Sequence, residues 1–146
     1  MVASQLARRG VTDERVLEAM REVPREAFVG AGMEEFAYED SPPPIGAGQT
    51  ISQPYIVALM IEAAAIKPGD RVLDVGTGSG YAAAVLSRLA GRVYSVERHR
   101  ELADSARRAL AKLRYTNVEV RHGDGTLGWP DAAPFDAILV AAGGPE

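Results

Sequence analysis

The stretch Val72-Leu73-Asp74-Val75-Gly76-Thr77-Gly78-Ser79-Gly80-Tyr81 decides how the rest of the chain is read. Residues 72–75 have the composition of a buried strand, apolar apart from one acid near the end. Gly76, Gly78 and Gly80 then remove side chains along a turn, and Tyr81-Ala82-Ala83-Ala84-Val85-Leu86 opens a helix. A strand that runs through glycines into a helix brings backbone N–H groups and a helix N-terminus up to a ligand. The spacing is G-x-G-x-G, not the G-x-G-x-x-G of dinucleotide folds, and no G-K-[ST] follows, which excludes a phosphate-cradling P-loop. Asp74, two residues before the first glycine, offers a carboxylate suited to a ligand ammonium group. Glycines that serve only the turn are the plain alternative.

Downstream the pattern is regular. Residues 92–97 read as a strand, and residues 100–114 as a helix with Leu102, Ala103, Ala106, Ala109, Leu110 and Leu113 as its apolar stripe. Residues 117–121 alternate like a strand, Gly123-Asp124-Gly125 and Trp129-Pro130 mark loop, and residues 135–140 form a last strand. Strand–helix–strand repetition with short connections implies a parallel sheet with right-handed crossovers. The expected fold is a doubly wound, Rossmann-like α/β sheet. Its four strands are ordered 3-2-1-4, and a ligand sits over the carboxyl ends of the first two.

Glu97 ends the second strand about twenty residues past the glycines, where an acid accepts from ribose hydroxyls and would repel a 2′-phosphate. A solvated strand-end acid is its alternative. Asp124 follows the third strand, where it would accept from an adenine amino group, although D-G is also a common turn. Together, Asp74, the three glycines, Glu97 and Asp124 describe an adenosine carrying a cationic amino-acid tail. The expected cofactor is S-adenosylmethionine, with S-adenosylhomocysteine as its product. His99 and His122 lie in no metal-ligand spacing and read as loop or strand-end residues, so no metal site is expected.

Upstream, residues 2–9 look like a short helix ended by Gly10. Thr12 is the expected N-cap of a second helix, with Asp13 and Glu14 in its first turn. Val16, Leu17, Met20 and Val23 recur at helical spacing, Pro24 closes the run, and residues 24–29 begin a third short turn. This segment reads as a helical lid packed on the main fold. Residues 34–48 are irregular, because Pro42, Pro43 and Pro44 each fix φ and remove a donor. Gly46-Ala47-Gly48-Gln49-Thr50-Ile51-Ser52-Gln53-Pro54-Tyr55 then runs into an apolar helix over residues 56–66, and Lys67-Pro68-Gly69-Asp70 turns the chain into the central strand.

The 146 residues, 47% hydrophobic and 25% charged, suit one globular domain with a real core. A net charge of -4 argues against nonspecific binding to nucleic acid or anionic membrane. The absence of cysteine removes disulfides, thiolate metal sites and a cysteine nucleophile. No apolar run reaches the roughly 18 residues of a membrane span. The first residues carry their charges after the apolar positions, the reverse of a secretory signal. A cytoplasmic monomer is expected. Residues 141–146 read as a loop leaving the fourth strand, which suggests a fragment and leaves that strand at or near a sheet edge, where self-association would occur.

The core resembles a class I methyltransferase, and Gly48-Gln49-Thr50-Ile51-Ser52-Gln53-Pro54-Tyr55 resembles the hallmark segment of protein-L-isoaspartate O-methyltransferases. Asp74-Val75-Gly76-Thr77-Gly78-Ser79-Gly80-Tyr81, Val23-Pro24-Arg25 with Phe28-Val29, and Ala37-Tyr38-Glu39-Asp40 are similar to the same family. The resemblance implies a single methyltransferase domain over residues 1–146. Residues 1–48 would form an N-terminal helical and loop segment, and residues 49–146 a cofactor-binding core incomplete at its C-terminus. It implies methyl transfer from S-adenosylmethionine to the α-carboxylate of L-isoaspartyl residues in damaged proteins. Carried over by position, Ser52 is the active-site serine. Gln49, Thr50, Ile51, Ser52, Asp74, Gly76, Thr77, Gly78, Gly80, Glu97, Arg98, Asp124 and Gly125 are the cofactor-binding residues. Ala47 departs from the family, many members of which carry histidine there.

The chemistry agrees. A carboxylate is ionised at neutral pH and needs no general base, so the catalyst must mainly align its oxygen with the methyl group. A serine hydroxyl can hold one carboxylate oxygen and leave the other to attack. Read from the residues alone, Ser52 is better explained as the N-cap of the helix that begins near Pro54, and only the family resemblance gives it a catalytic role. The rival readings are a noncatalytic cofactor-binding module, a class I methyltransferase for a small molecule or nucleic acid, and, weakest because of the glycine spacing, a nicotinamide dehydrogenase.

Overall fold

The computed structural model describes residues 10–28, 44–46, 49–50, 54–124 and 128–140. Helix α1, Glu14–Glu22, buries Val16, Leu17, Ala19 and Met20 on one face. Its N-cap is Asp13, not the expected Thr12: the Asp13 carboxylate accepts from the Arg15 N–H at 2.9 Å. The backbone N–H groups of Thr12 and Asp13 instead reach the Glu62 carboxylate at 2.9 and 2.8 Å, so a second helix anchors this entry. A short 3₁₀ helix, Arg25–Phe28, follows Pro24 and carries Phe28 into the core.

Strand β1, Pro44–Gly46, pairs antiparallel with β2, Gln49–Thr50. The expectation of irregular chain up to residue 48 is corrected here. Proline excludes helix interior but its fixed φ is compatible with a short extended strand, especially at an edge. Helix α2, Pro54–Ala64, starts on a proline and buries Val57, Ala58 and Ile61. It stops short of the expected residue 66 because Ala65 turns to φ 51°.

The remaining elements are β3 (Arg71–Val75), α3 (Tyr81–Ser87), β4 (Arg92–Glu97), α4 (Arg100–Lys112), β5 (Val118–His122) and β6 (Ala137–Val140). The four strands β3 to β6 form one parallel sheet in the order β5-β4-β3-β6, the 3-2-1-4 arrangement expected from the sequence. Helix α4 ends two residues before the expected Arg114, which itself turns to φ 64°. The last strand opens at Ala137, not at residue 135. Asp136 stays outside the ladder, where its carboxylate accepts from the Arg71 N–H at 2.8 Å.

Side chains alternate across each strand, so the sheet has two chemically distinct faces. Val72 and Val93 point into the larger core, with Ala83, Ala84, Val85 and Leu86 of α3, Ala103 and Leu110 of α4, and Val16 and Met20 of α1. Leu73 and Val96 point the other way, into a smaller cluster closed by Trp129 and Ala132. Trp129 meets Tyr94 edge-on at 5.2 Å, Phe135 meets Tyr94 at 5.7 Å, and the Arg121 guanidinium lies 4.0 Å over the Trp129 ring. The expected Trp129-Pro130 loop is therefore a buried tryptophan leading into a 3₁₀ turn, Pro130–Ala132. β6 lies at one end of this sheet order, with Ile138 60% and Val140 50% exposed.

Candidate functional site

Parallel strands present all their carboxyl ends on one side of the sheet, and the candidate site lies where β3 and β4 end. The β3–β4 register places Asp74 beside Ser95, and both lie on the sheet face that carries Val72 and Val93. Past Val75 the chain leaves β3 through two N–H groups, those of Gly76 and Thr77, which donate to the Val96 carbonyl at 2.8 and 3.2 Å. Gly76, Gly78 and Gly80 adopt φ of 92°, 54° and 94°. At Gly80 the requirement is twofold. Besides the left-handed φ, an added Cβ would lie 3.1 Å from the Ala106 Cβ and 3.6 Å from Phe28 Cδ1. The turn is thus pressed between α4 and the 3₁₀ segment. Helix α3, which follows, is seven residues long, and the N–H groups of Gly76, Thr77, Gly78 and Gly80 are bonded within the turn and to β4.

Asp74 is 1% exposed. Its Oδ2 accepts from the Ser95 hydroxyl at 2.8 Å, and Ser95 Oγ lies 2.5 Å from Thr77 Oγ1. Its Oδ1 is buried and has no hydrogen-bond partner. Burial pushes the carboxyl up to about 7, the Ser95 hydrogen bond opposes the rise, and the negative charge of Glu97 adds to it. An acid held this way is poised to ionise when a cation arrives beside it.

Glu97 is also buried, at 5% exposure. Its Oε1 accepts from the Gly78 N–H at 2.8 Å and its Oε2 from the His99 N–H at 2.9 Å. These two backbone donors fix the plane of the carboxylate, and each oxygen keeps a lone pair for a further donor. The same strand end is braced from β5: the Gly123 N–H donates to the Glu97 carbonyl at 2.9 Å, and His122 Nε2 lies 3.0 Å from the Arg98 carbonyl. Asp124, exposed, follows at the end of β5. Next to Glu97, Arg98, His99, Arg100, Glu101 and Asp104 line an open groove of about 470 Å³.

The structure therefore brings Asp74, Gly76, Thr77, Gly78, Gly80, Glu97 and Arg98 together around two adjacent strand ends, with Asp124 on the next. Gln49 and Thr50 are placed as the backbone of β2. Ile51, Ser52 and Gly125 lie outside the described residues. Phe28 and Tyr81 pack edge-on at 6.1 Å inside the core. Two residues of the site do not stand out in the sequence. Ser95 is legible there only as a lone hydroxyl in an apolar strand, two positions before Glu97 and so on the same face. His99 reads as a loop residue, yet it lines the groove, caps α4 by backbone geometry, and buries an Nε2 atom with no partner.

These residues fit S-adenosylmethionine. A buried carboxylate oxygen lacking any protein donor marks a place completed by a ligand or water, and here it sits beside a turn stripped of side chains. A second carboxylate, oriented and still able to accept, stands one strand away.

The comparisons with known proteins point the same way. The family model described as protein-L-isoaspartate(D-aspartate) O-methyltransferase matches residues 1–146. A protein-L-isoaspartate O-methyltransferase 2 of Pelobacter propionicus is 65% identical over 145 residues, covering 99% of this chain and 64% of that protein. The chain thus spans less than two thirds of that relative's length. A solved protein-L-isoaspartate O-methyltransferase superposes with a TM-score of 0.88 at 36% identity, covering 97% of this chain and 47% of the other. A Plasmodium falciparum structure of that description, in complex with S-adenosyl-L-homocysteine, gives 0.82 at 27% identity, covering 97% and 72%. With a family model matched from the first residue to the last, and this strand order beneath it, the chain belongs to the protein-L-isoaspartate(D-aspartate) O-methyltransferase family.

Proposed function

We propose that this chain binds S-adenosylmethionine across the ends of β3 and β4, and that its enzyme methylates the α-carboxylate of L-isoaspartyl residues in damaged proteins. The observation that carries the cofactor half is the pair of buried carboxylates, Asp74 and Glu97, held beside one glycine turn, Glu97 by the Gly78 N–H and Asp74 through Ser95 to Thr77. When bound, S-adenosylmethionine supplies an electrophilic methyl group on a sulfonium sulfur. Asp74 meets the cationic amino-acid end, and Glu97 accepts from the ribose hydroxyls with a carboxylate already held in plane. The glycines let the backbone approach, Asp124 and Gly125 take the adenine side, and Arg98 flanks Glu97.

The acceptor half rests on family membership and on residues 49–52. Gln49, Thr50, Ile51 and Ser52 close over the cofactor, and the Ser52 hydroxyl holds one oxygen of the substrate carboxylate. The other oxygen forms the new O–CH₃ bond as the S–CH₃ bond breaks, leaving a methyl ester and a neutral thioether. No proton is transferred, so no general base is needed. The work is alignment. We read residues 1–146 as one domain acting as a cytoplasmic monomer on isoaspartyl proteins, with neither nucleic acid nor membrane as partner. Among the described residues no helix is long and apolar enough to cross a membrane.

The test is calorimetric titration with S-adenosylhomocysteine, followed by transfer of labelled methyl to an isoaspartyl peptide and to its aspartyl counterpart. Binding with transfer to the isoaspartyl peptide alone is expected. Binding without transfer to either would favour the noncatalytic module, and absence of binding would refute the cofactor assignment.

A further inference from the structure

We propose that Ser95 is a positioning residue of the cofactor site: through a relay from Thr77 to Ser95 to Asp74 it commits one carboxylate oxygen of Asp74 and leaves the other for the cationic end of the ligand. The proposal rests on the S-adenosylmethionine reading of the site.

The hydrogen-bond inventory fixes the direction of this relay. A serine has one hydroxyl proton, and an ionised carboxylate only accepts. Ser95 Oγ lies 2.8 Å from Asp74 Oδ2, so its proton goes there. Thr77 Oγ1, 2.5 Å from Ser95 Oγ, must then donate to Ser95. Ser95 is wholly buried and Thr77 is 4% exposed, so neither hydroxyl can trade its partner for bulk water. A buried serine in the middle of a parallel strand costs free energy unless both roles are filled, and here both are. Alanine would pack in this strand without that cost, which argues that the hydroxyl is kept for its partner.

The geometry also explains why this relay reaches the site. Parallel register puts Ser95 beside Asp74 within the sheet, and Thr77 returns over them because its N–H is bonded to the Val96 carbonyl. Thr77 therefore belongs at once to the glycine turn and to the relay, and the turn and Asp74 are locked as one unit. Around Asp74, β4 presents Ser95 and the charged Glu97, while on β6 the register partner is the apolar Leu139. Asp136 and Arg71 lie at the far end of those strands. On the helices, Glu62 of α2 is engaged with the backbone of Thr12 and Asp13, α3 carries no charged residue, and the 3₁₀ segment buries Arg25, whose guanidinium lies 4.8 Å over the Tyr81 ring. Ser95 thus gives the hydroxyl hydrogen bond that favours the ionised form of Asp74, against burial and Glu97.

The experiment follows the Asp74 carboxyl carbon by NMR against pH in the free chain, and S-adenosylhomocysteine affinity by calorimetry from pH 6 to 9. The wild type is compared with Ser95→Ala and Thr77→Val. Loss of a hydrogen bond to a charged group should raise the Asp74 titration midpoint in Ser95→Ala by about one on the pH scale. Affinity should then fall about fivefold at pH 7 and by little at pH 9. Thr77→Val should move both readouts in the same direction by less, and it carries the test if Ser95→Ala fails to fold. A titration midpoint unchanged by both substitutions overturns the proposal. So does an affinity loss that is uniform across pH, the signature of packing alone. A wild-type chain that binds no S-adenosylhomocysteine instead overturns the methyltransferase reading and the ligand half of this one, while the titration still decides whether Ser95 governs Asp74.

Discussion

Asp74→Asn separates what Asp74 does for the ligand from what it costs the fold. In the folded chain its carboxyl titrates near 7, against an ordinary value of 3.8, chiefly because of burial. A group whose pKa is raised on folding contributes stability that is fully present below the unfolded value and lost as pH rises through the folded one. The full span corresponds to about 4 kcal/mol, since each tenfold change in proton affinity is worth about 1.4 kcal/mol. Between pH 5.5 and 8 the same relation gives a loss of about 2 kcal/mol at this site alone. Asparagine keeps the shape and can still accept from the Ser95 hydroxyl, but it does not titrate. In urea unfolding of both proteins at pH 5.5 and pH 8, every other titrating group cancels in the difference. The variant should gain about 2 kcal/mol relative to the wild type on going from the lower to the higher pH. The same substitution should abolish measurable S-adenosylhomocysteine binding, because it removes the negative charge facing a cation. A stability difference flat in pH would refute the burial of an ionisable Asp74, and undiminished binding would refute its role toward the ligand.

Glu97→Gln should weaken S-adenosylhomocysteine binding at least tenfold by calorimetry. It should also cost about 1–3 kcal/mol in denaturant unfolding, since an amide nitrogen cannot accept and one of the Gly78 and His99 N–H donors loses its partner. Gly80→Ala should destabilise by about 1–3 kcal/mol, read as a lowered melting temperature, because the new Cβ meets both a left-handed φ and the Ala106 methyl at 3.1 Å. Ser52→Ala should retain cofactor binding while slowing methylation of isoaspartyl peptide by about a hundredfold in the active enzyme, the scale of losing one positioning hydrogen-bond donor. Undiminished turnover would show that serine to be only a helix cap. Glu62→Ala should cost about 1–2 kcal/mol, by urea unfolding, because the Thr12 and Asp13 N–H groups lose their shared acceptor.

Much of this molecule is legible in its sequence because the determinants are local. Val72 to Tyr81 specify strand, turn and helix by composition and spacing, and the succession of strands and helices permits few topologies. The G-x-G-x-G turn with Asp74 and Glu97 indicates the class of ligand before any coordinate is known. Boundaries are less legible. Asp13 rather than Thr12 caps α1, and Trp129, in a loop as expected, is also buried, because each outcome depends on a partner distant in sequence: Glu62 behind the first, Tyr94 and Leu73 around the second.

The sequence by itself determined that two acids and three glycines come together at two adjacent strand ends, since strand-end position follows from order along the chain. Only the tertiary structure decided how those acids are held. The Asp74–Ser95 pairing comes from the β3–β4 register, and the Glu97 orientation comes from backbone donors on two separate turns. Neither is written in residue spacing, because register and backbone direction are set by packing the whole sheet.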